Sequence, residues 1–184
     1  MLKYTKSKYN FRGVYMNNRI IFRQAVCSFI FVSVAGSLLH FVYDWSGQSR
    51  LAGYFSAVNE STWEHMKLMF IPMFIFALYL LFRFRKSRPS VFPAYAVAAL
   101  IAVFLIPVFF YTYTGVLGFN VNFLNLTIFY VCAAIGSTCF YRLAVRTDLS
   151  DLNIVLLLIH LTLLLAFIFF TYNPPFLGIF ISPV

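Results

Sequence analysis

Long runs of apolar residues, separated by short polar segments, make up most of the chain. Runs such as "LIAVFLIPVFF" and "IVLLLIHLTLLLAFIFF" are continuous, whereas the strands of a transmembrane β-barrel alternate polar and apolar residues. A stretch of about 20 apolar residues is what an α-helix needs to cross a bilayer. The pattern predicts an all-α, polytopic membrane helical bundle with five transmembrane helices, at roughly 21–43, 66–82, 91–113, 121–142 and 152–172.

Composition supports this class and limits the domain organisation. The 184 residues are 62% hydrophobic and 10% charged, whereas a soluble domain has about 25% charged residues. The chain therefore has too few charges for a water-soluble surface. Its length allows a single transmembrane bundle over 21–184 and no separate soluble domain. The three cysteines lie in apolar runs without CxxC spacing, and we interpret them as small buried hydrophobic residues.

Basic residues predict the orientation in the membrane. A net charge of +9 suggests nucleic acid in a soluble protein, but here the basic residues flank the apolar runs. We therefore predict membrane lipid as a partner and no nucleic acid. All but two of the 14 Lys and Arg residues fall on one side of the five spans, the exceptions being Arg50 and Lys67. This bias predicts a cytoplasmic N-terminus and an external C-terminus in a bacterial inner or plasma membrane.

A basic N-terminal segment precedes the first span. Residues 1–20 include "LKYTKSKYNFRGVYMNNR", which mixes basic and aromatic side chains. We expect this segment to lie on the inner leaflet and to contact anionic lipid, with the lipid-contacting candidates Lys3, Lys6, Lys8 and Arg12. The alternative interpretation is a basic tail that serves only to set the topology.

Scarce ionisable residues gather at the predicted outer ends of the first two spans. His40 and Asp44 lie at the end of the first span, and Glu60, Glu64 and His65 lie at the entry to the second. Residues four apart share a helix face, and the loop between the spans is short. The sequence therefore predicts that His40, Asp44, Glu60 and Glu64 form one polar site near the outer membrane surface, with His65 as a further candidate.

The loop that joins these two groups, residues 45–57, is partly apolar. We expect it to lie in the membrane interface or to dip into the bundle. Its amphipathic rings, Trp45 and Tyr54, are predicted at interfacial depth, which such rings favour.

The residue types at this polar site suit metal or acid–base chemistry. Carboxylate oxygens and imidazole nitrogens bind zinc, manganese or iron, and the same pairing can act as acid and base on water. His160, in the middle of the fifth span, is a further candidate, because an ionisable group at membrane depth is often functional. The alternative is a neutral histidine bonded to a neighbouring helix. The catalytic candidates are Glu64 and Glu60, and the metal-ligand candidates are His40, Asp44, His65 and His160.

Helix capping is an alternative explanation for the same residues. Ser61 and Glu64 have the spacing of a capping box, and acidic residues in the first turn complement the helix dipole. His40 can also pair with Asp44 on its own helix. On this interpretation no shared site exists.

Several motifs resemble an uncharacterised bacterial family of small multi-pass membrane proteins. They are an HxxxD motif within "HFVYDWSG", the string "VNESTWEHMKL" and a late "TYNPP". The resemblance is densest over 36–72 and weaker at 171–175. It implies a membrane location but no activity, and this chain lacks the acidic residue that the family often carries after its proline pair. A looser similarity, to intramembrane metal-dependent proteases of the prenyl-protein type, is only an analogy because their adjacent-glutamate motif is absent.

Three classes of function fit these observations. The first is a metal-dependent hydrolase or transferase, open to the outer leaflet, that acts on a lipid or peptide. The second is a small cation or proton-coupled transporter, although the inner halves of the spans offer few polar residues for a path, chiefly Gln24, Ser28 and Asn153. The third is a non-catalytic membrane scaffold in which the polar residues join helices.

The predicted topology can be tested by thiol labelling of intact cells. In a variant without the native cysteines, a cysteine in place of Gln48 should react with an impermeant maleimide, because the first loop is predicted to be external. A cysteine in place of Lys86 should react only after the cells are permeabilised. The reverse pattern would overturn the orientation.

Overall fold

The structure, a computed structural model, describes residues 18–183, and all of the regular secondary structure in that range is helical. The helices are α1 (Asn18–Trp45), α2 (Arg50–Gly53), α3 (Thr62–Phe84), α4 (Val91–Leu117), α5 (Asn122–Arg146) and α6 (Asn153–Tyr172), with 3-10 turns at Ser150–Leu152 and Gly178–Phe180. The predicted all-α bundle is confirmed. The lipid-contacting candidates Lys3, Lys6, Lys8 and Arg12 lie outside the described residues.

Five of the helices (α1, α3, α4, α5 and α6) are long and apolar enough to cross a membrane, and each corresponds to one predicted span. The largest differences are four residues: α3 begins four residues before the predicted 66, and α4 and α5 end four residues after the predicted 113 and 142. Ser61 caps this helix, because its side chain accepts a hydrogen bond from the backbone N–H of Glu64 at 3.4 Å. Helices α3 and α4 continue through Pro72 and Pro107.

Four of the spanning helices form a ring. Helix α1 contacts α3 and α5, and α4 contacts the same two helices from the other side, while α6 packs outside the ring against α3 and α4. We call the end where α1, α4 and α6 finish the cluster end, and the opposite end the basic end. Near the basic end the ring is closed by direct packing and by a 2.6 Å hydrogen bond between the hydroxyls of Ser28 and Tyr95.

Small residues bring α4 and α5 together in the middle of the ring. A Cβ atom added to Gly136 would lie 2.8 Å from the Cβ of Ala102 and 3.2 Å from Cε of Met73. Such distances are below ordinary van der Waals contact, so this helix pair depends on the missing side chain. By contrast, Gly115 on α4 has nothing within 4 Å of an added Cβ.

The close contact at Gly136 predicts different effects for two leucine substitutions. Gly136→Leu should lower the free energy of unfolding in detergent by about 1–3 kcal/mol, because the larger side chain overpacks the ring. Gly115→Leu should leave it unchanged or raise it slightly, since leucine is the better helix former. Thermal unfolding of the two variants measures the difference, and equal melting temperatures would contradict the described packing of α4 on α5.

Candidate functional site

A cluster of two histidines and one glutamate lies at the cluster end of the ring. Nε2 of His40 is 3.6 Å from one carboxylate oxygen of Glu60, and Nε2 of His65 is 3.5 Å from the other. One ligand atom from each residue lies within 4.8 Å of the other two. We call these three residues the His–Glu cluster. Their side chains are partly exposed, by 35%, 24% and 63% for His40, His65 and Glu60, so small molecules can reach them.

Three chain segments position the His–Glu cluster. His40 lies on α1, His65 lies on the first turns of α3, and Glu60 belongs to the turn just before the N-cap of α3. In that turn the side-chain oxygen of Asn59 accepts the backbone N–H of Ser61 at 2.9 Å. This local bond fixes the path of the chain as it enters α3, and Glu60 is held between α1 and α3 as a result.

Hydrogen bonding orients the ring of His65. Its Nδ1 is 3.0 Å from the backbone carbonyl oxygen of Ser61, and a carbonyl only accepts, so Nδ1 carries a proton. In the neutral imidazole, Nε2 is then a lone pair that faces the Glu60 carboxylate. A metal ion placed between these two acceptors would be bound by both.

A cavity of about 810 Å³ opens beside the His–Glu cluster within the ring. All four ring helices contribute to its wall, as do the cluster residues themselves. The volume falls in the range of small-molecule sites, about 300–1,000 Å³. The other lining residues are mostly apolar, with polar groups chiefly at the start of α5: Asn120, Asn122 and Asn125.

A second ionic group at this end is fully buried. Lys67 is 0% exposed and Glu64 is 1% exposed, and Nζ of Lys67 is 2.6 Å from the Glu64 carboxylate. The ammonium also donates to the carbonyl oxygen of Gly53 and to the hydroxyl of Thr171, each at 2.8 Å. Glu64 accepts the backbone N–H of Val58 at 3.1 Å as well. Every proton of the ammonium therefore has an acceptor.

The structure divides the predicted four-residue site. His40 and Glu60 come together as predicted, and His65 joins them. Glu64 pairs with Lys67 and does not line the cavity. Asp44 is exposed, and the described residues offer its side chain no ion-pair or hydrogen-bond partner.

The predicted capping box is half formed. Ser61 caps α3 as expected, but the Glu64 carboxylate binds the N–H of Val58 and not that of Ser61, which Asn59 satisfies. The carboxylate of Glu64 is drawn away because Lys67 is one helical turn further along the chain.

His160 lies apart from the cluster, on α6 outside the ring. It is 0% exposed, and its Nδ1 is 2.8 Å from the carbonyl oxygen of Leu156 in its own helix. Its Nε2 is buried without a partner in the described part of the chain. Its imidazole stacks on the side chain of Phe70, with the two ring centroids 5.8 Å apart. The alternative interpretation, a histidine bonded to a neighbouring helix, is therefore replaced by a bond within α6, and the group of residues that could hold a metal does not include His160.

The loop 45–57 folds back over the cluster end. Gly53 and Ser56 are buried, the short helix α2 lies within the loop, and the ring of Tyr54 packs edge-on against Tyr172 with centroids 5.3 Å apart. Trp45 is 69% exposed and stacks on Phe41 of α1. Part of the loop thus packs on the bundle, and the interfacial depth of its aromatic rings stays a prediction.

Two groups of polar residues at this end were not assigned from the sequence. Lys67 is one of the external basic residues and a candidate positive partner for the carboxylates of the site, but the sequence does not single out its pairing with Glu64, although the i,i+3 spacing signals one. The second group is the hydrogen-bonded set of Tyr113, Asn120 and Asn125 beside the cavity. Neutral amides carry no charge signal, so only the fold reveals that they meet.

Comparison with known proteins gives a family and no activity. The model of a family described as "Family of unknown function (DUF6512)" matches residues 15–184. No curated protein and no solved structure matches the chain. The predicted membership of a family without an assigned activity is confirmed, and a function has to be argued from the chain's own residues.

The buried ion pair predicts a strong, non-additive effect on stability. Glu64→Ala and Lys67→Met should each lower the free energy of unfolding by about 3–5 kcal/mol, because each leaves one buried charge without its partner. The double variant should lose clearly less than the sum of the two.

Thermal unfolding in detergent, with exposed Asp44→Ala as the near-neutral control, measures this cycle. Strictly additive losses would show that the two side chains do not stabilise each other.

Proposed function

The chain belongs to DUF6512, a family of unknown function, and we propose its activity from its own residues. It is a multi-pass membrane protein whose His–Glu cluster holds a divalent metal, zinc or manganese. The metal serves hydrolysis or group transfer on a lipid or peptide. The observation that carries the proposal is the position of three ligand atoms within 4.8 Å of one another on the wall of a cavity of about 810 Å³. With the predicted topology, the site faces the outer leaflet of the membrane.

The donor set fits a catalytic metal. Two imidazoles and one carboxylate are the ligands of several zinc hydrolases, in which a fourth position stays open for water. Ligand atoms on a tetrahedral zinc lie about 3.3 Å apart, given bond lengths near 2.0–2.1 Å. The two shortest contacts, 3.6 and 3.5 Å, involve different oxygens of Glu60, and one ligand atom from each residue lies within 4.8 Å of the other two. These separations exceed the value for a bound zinc, so metal binding would draw the three side chains together. A bound metal would supply an acidified water and a Lewis acid.

The residues around the cluster support this role. The carbonyl oxygen of Ser61 accepts the proton of Nδ1 of His65, which leaves the lone pair of Nε2 free to bind a metal. Outer hydrogen bonds of this type commonly orient metal-binding histidines. Glu60 offers one oxygen to each histidine. Glu64, a catalytic candidate from the sequence, is buried against Lys67 and receives no part in the chemistry.

Elemental analysis of the purified protein tests the proposal. After saturation with zinc and removal of free metal, the protein should hold about one ion per chain. Loss of an outer hydrogen-bond partner weakens metal binding about 10–100-fold. Loss of a direct ligand should weaken zinc binding more than this, in each of the variants His65→Ala, His40→Ala and Glu60→Gln.

Asp44→Asn is the matched control, because it changes an exposed carboxylate at the same end that lies outside the cluster. Its zinc content should equal that of the unmodified protein. A chain that binds neither zinc nor manganese, or cluster variants that bind as well as Asp44→Asn, would refute the metal site and leave the transporter and scaffold hypotheses.

A further inference from the structure

The cavity beside the His–Glu cluster has a deep apolar part. Leu68, Ile106 and Phe129 line it and are 2%, 5% and 9% exposed. Ile106 lies well inside α4, so the cavity extends about 16 Å from the end of that helix at 1.5 Å per residue. This depth reaches the level of the hydrocarbon core. A ligand that fills the cavity therefore needs an apolar body as well as a group for the cluster.

The cavity faces sideways between α1 and α5. Its lining residues on these two helices include exposed side chains, with Phe41 50%, Leu126 53% and Tyr130 37% exposed. By contrast, Thr62 and Leu68 of α3 and Ile106 in the middle of α4, which also line the cavity, are buried. Below the opening, the hydroxyls of Ser37 and Tyr130 join α1 to α5 at 3.0 Å. An opening on the side of a membrane bundle gives access to lipids from the bilayer.

Uncharged hydrogen-bonding groups line a second part of the cavity. The Tyr113 hydroxyl lies within hydrogen-bond distance of the side-chain oxygens of Asn120 and Asn125 and shares its one proton between them. Nδ2 of Asn125 donates to the Asn120 oxygen at 2.9 Å. These bonds hold the Asn120 amide so that its Nδ2 group has no partner among residues 18–183. The amides can therefore bind hydroxyl or carbonyl oxygens of a ligand.

Apart from a metal at the His–Glu cluster, the side chains of the cavity disfavour an anionic headgroup. No lysine or arginine lines it within the described range, and Glu60 adds a negative charge. Phosphate recognition normally uses arginine or lysine. The polar part thus matches a headgroup that is neutral and hydroxylated.

We propose that this cavity binds an uncharged single-chain amphiphile, a fatty acyl ester or amide with a hydroxyl-bearing headgroup. The acyl chain lies along the apolar wall, and the headgroup binds Asn120 and Asn125. This inference deepens the proposed function and rests on it for the role of the ligand as substrate. In that reaction the hydroxyl group of water bonds to the acyl carbon to give the fatty acid. The bond to the ester oxygen or amide nitrogen breaks, and the second proton of water goes to the released alcohol or amine.

Binding of labelled monoolein to the full chain in nanodiscs tests the inference. The protein is treated with EDTA so that binding is measured without metal. Monoolein should bind more tightly than lysophosphatidylglycerol of the same chain length, which carries an anionic phosphate. Asn120→Leu should weaken monoolein binding about tenfold, the effect expected for a lost hydrogen bond to the headgroup. Leu126→Trp should also weaken it, because the larger side chain fills the cavity.

Asn173→Leu is the matched control, since this exposed asparagine lies at the same end outside the cavity. It should bind monoolein like the unmodified protein, and circular dichroism should show the same helix content for all variants. Equal binding of the two amphiphiles, or an unchanged affinity in Asn120→Leu, would overturn the inference.

The metal and amphiphile experiments fail separately. His65→Ala lacks a metal ligand but keeps the asparagines, so it should still bind monoolein. Zinc binding without monoolein binding would refute the amphiphile and leave the metal site. Monoolein binding in a protein that does not bind zinc would refute the metal site and leave the amphiphile.

Discussion

The cluster end of the bundle depends on the buried contact between Lys67 and Glu64. Taking both charges out of water costs several kcal/mol per ion, and the cost is offset only because every proton of the ammonium finds an acceptor. Two of these acceptors come from elsewhere in the chain, Gly53 in the first loop and Thr171 at the end of α6. The pair therefore fixes the loop and α6 against α3. Glu60 follows directly after this loop, so the geometry of the His–Glu cluster depends on the same contact.

The two ionic groups at this end differ in how completely their hydrogen-bonding atoms are paired. The pair of Lys67 and Glu64 is closed to water and has no unused donor on the ammonium, as is typical of a structural contact. In the His–Glu cluster, two imidazoles and a carboxylate face one another, partly exposed, with acceptors in excess of donors. An open arrangement of nitrogen and oxygen ligands that borders a cavity is suited to binding a cation. This contrast supports the proposed role of the His–Glu cluster and a structural role for the buried pair.

The sequence predicted the spans well because hydropathy over 20 residues reflects the dominant transfer energy in a bilayer. Within the site, His40, Glu60 and His65 were recognised because charge is scarce in this chain. The place of Glu64 was not, since Lys67 competes for its carboxylate one turn along the same helix. Asn120 and Asn125 were missed as well. Neutral amides look alike in loops and in binding sites, and only the closure of the helix ring places them beside the cavity.

The position of α6 outside the ring has a consequence for the order of assembly in the cell. The chain emerges from the ribosome N-terminus first, so the four helices that enclose the cavity are all synthesised before Thr171 at the end of α6. Until that hydroxyl arrives, the ammonium of Lys67 lacks one of its three acceptors, and Glu64 lacks the donor that lies 3.2 Å from its other carboxylate oxygen. The nascent ring can thus form early but gains its last polar contact only on completion of α6, which makes the docking of this helix a late, stabilising step of biogenesis.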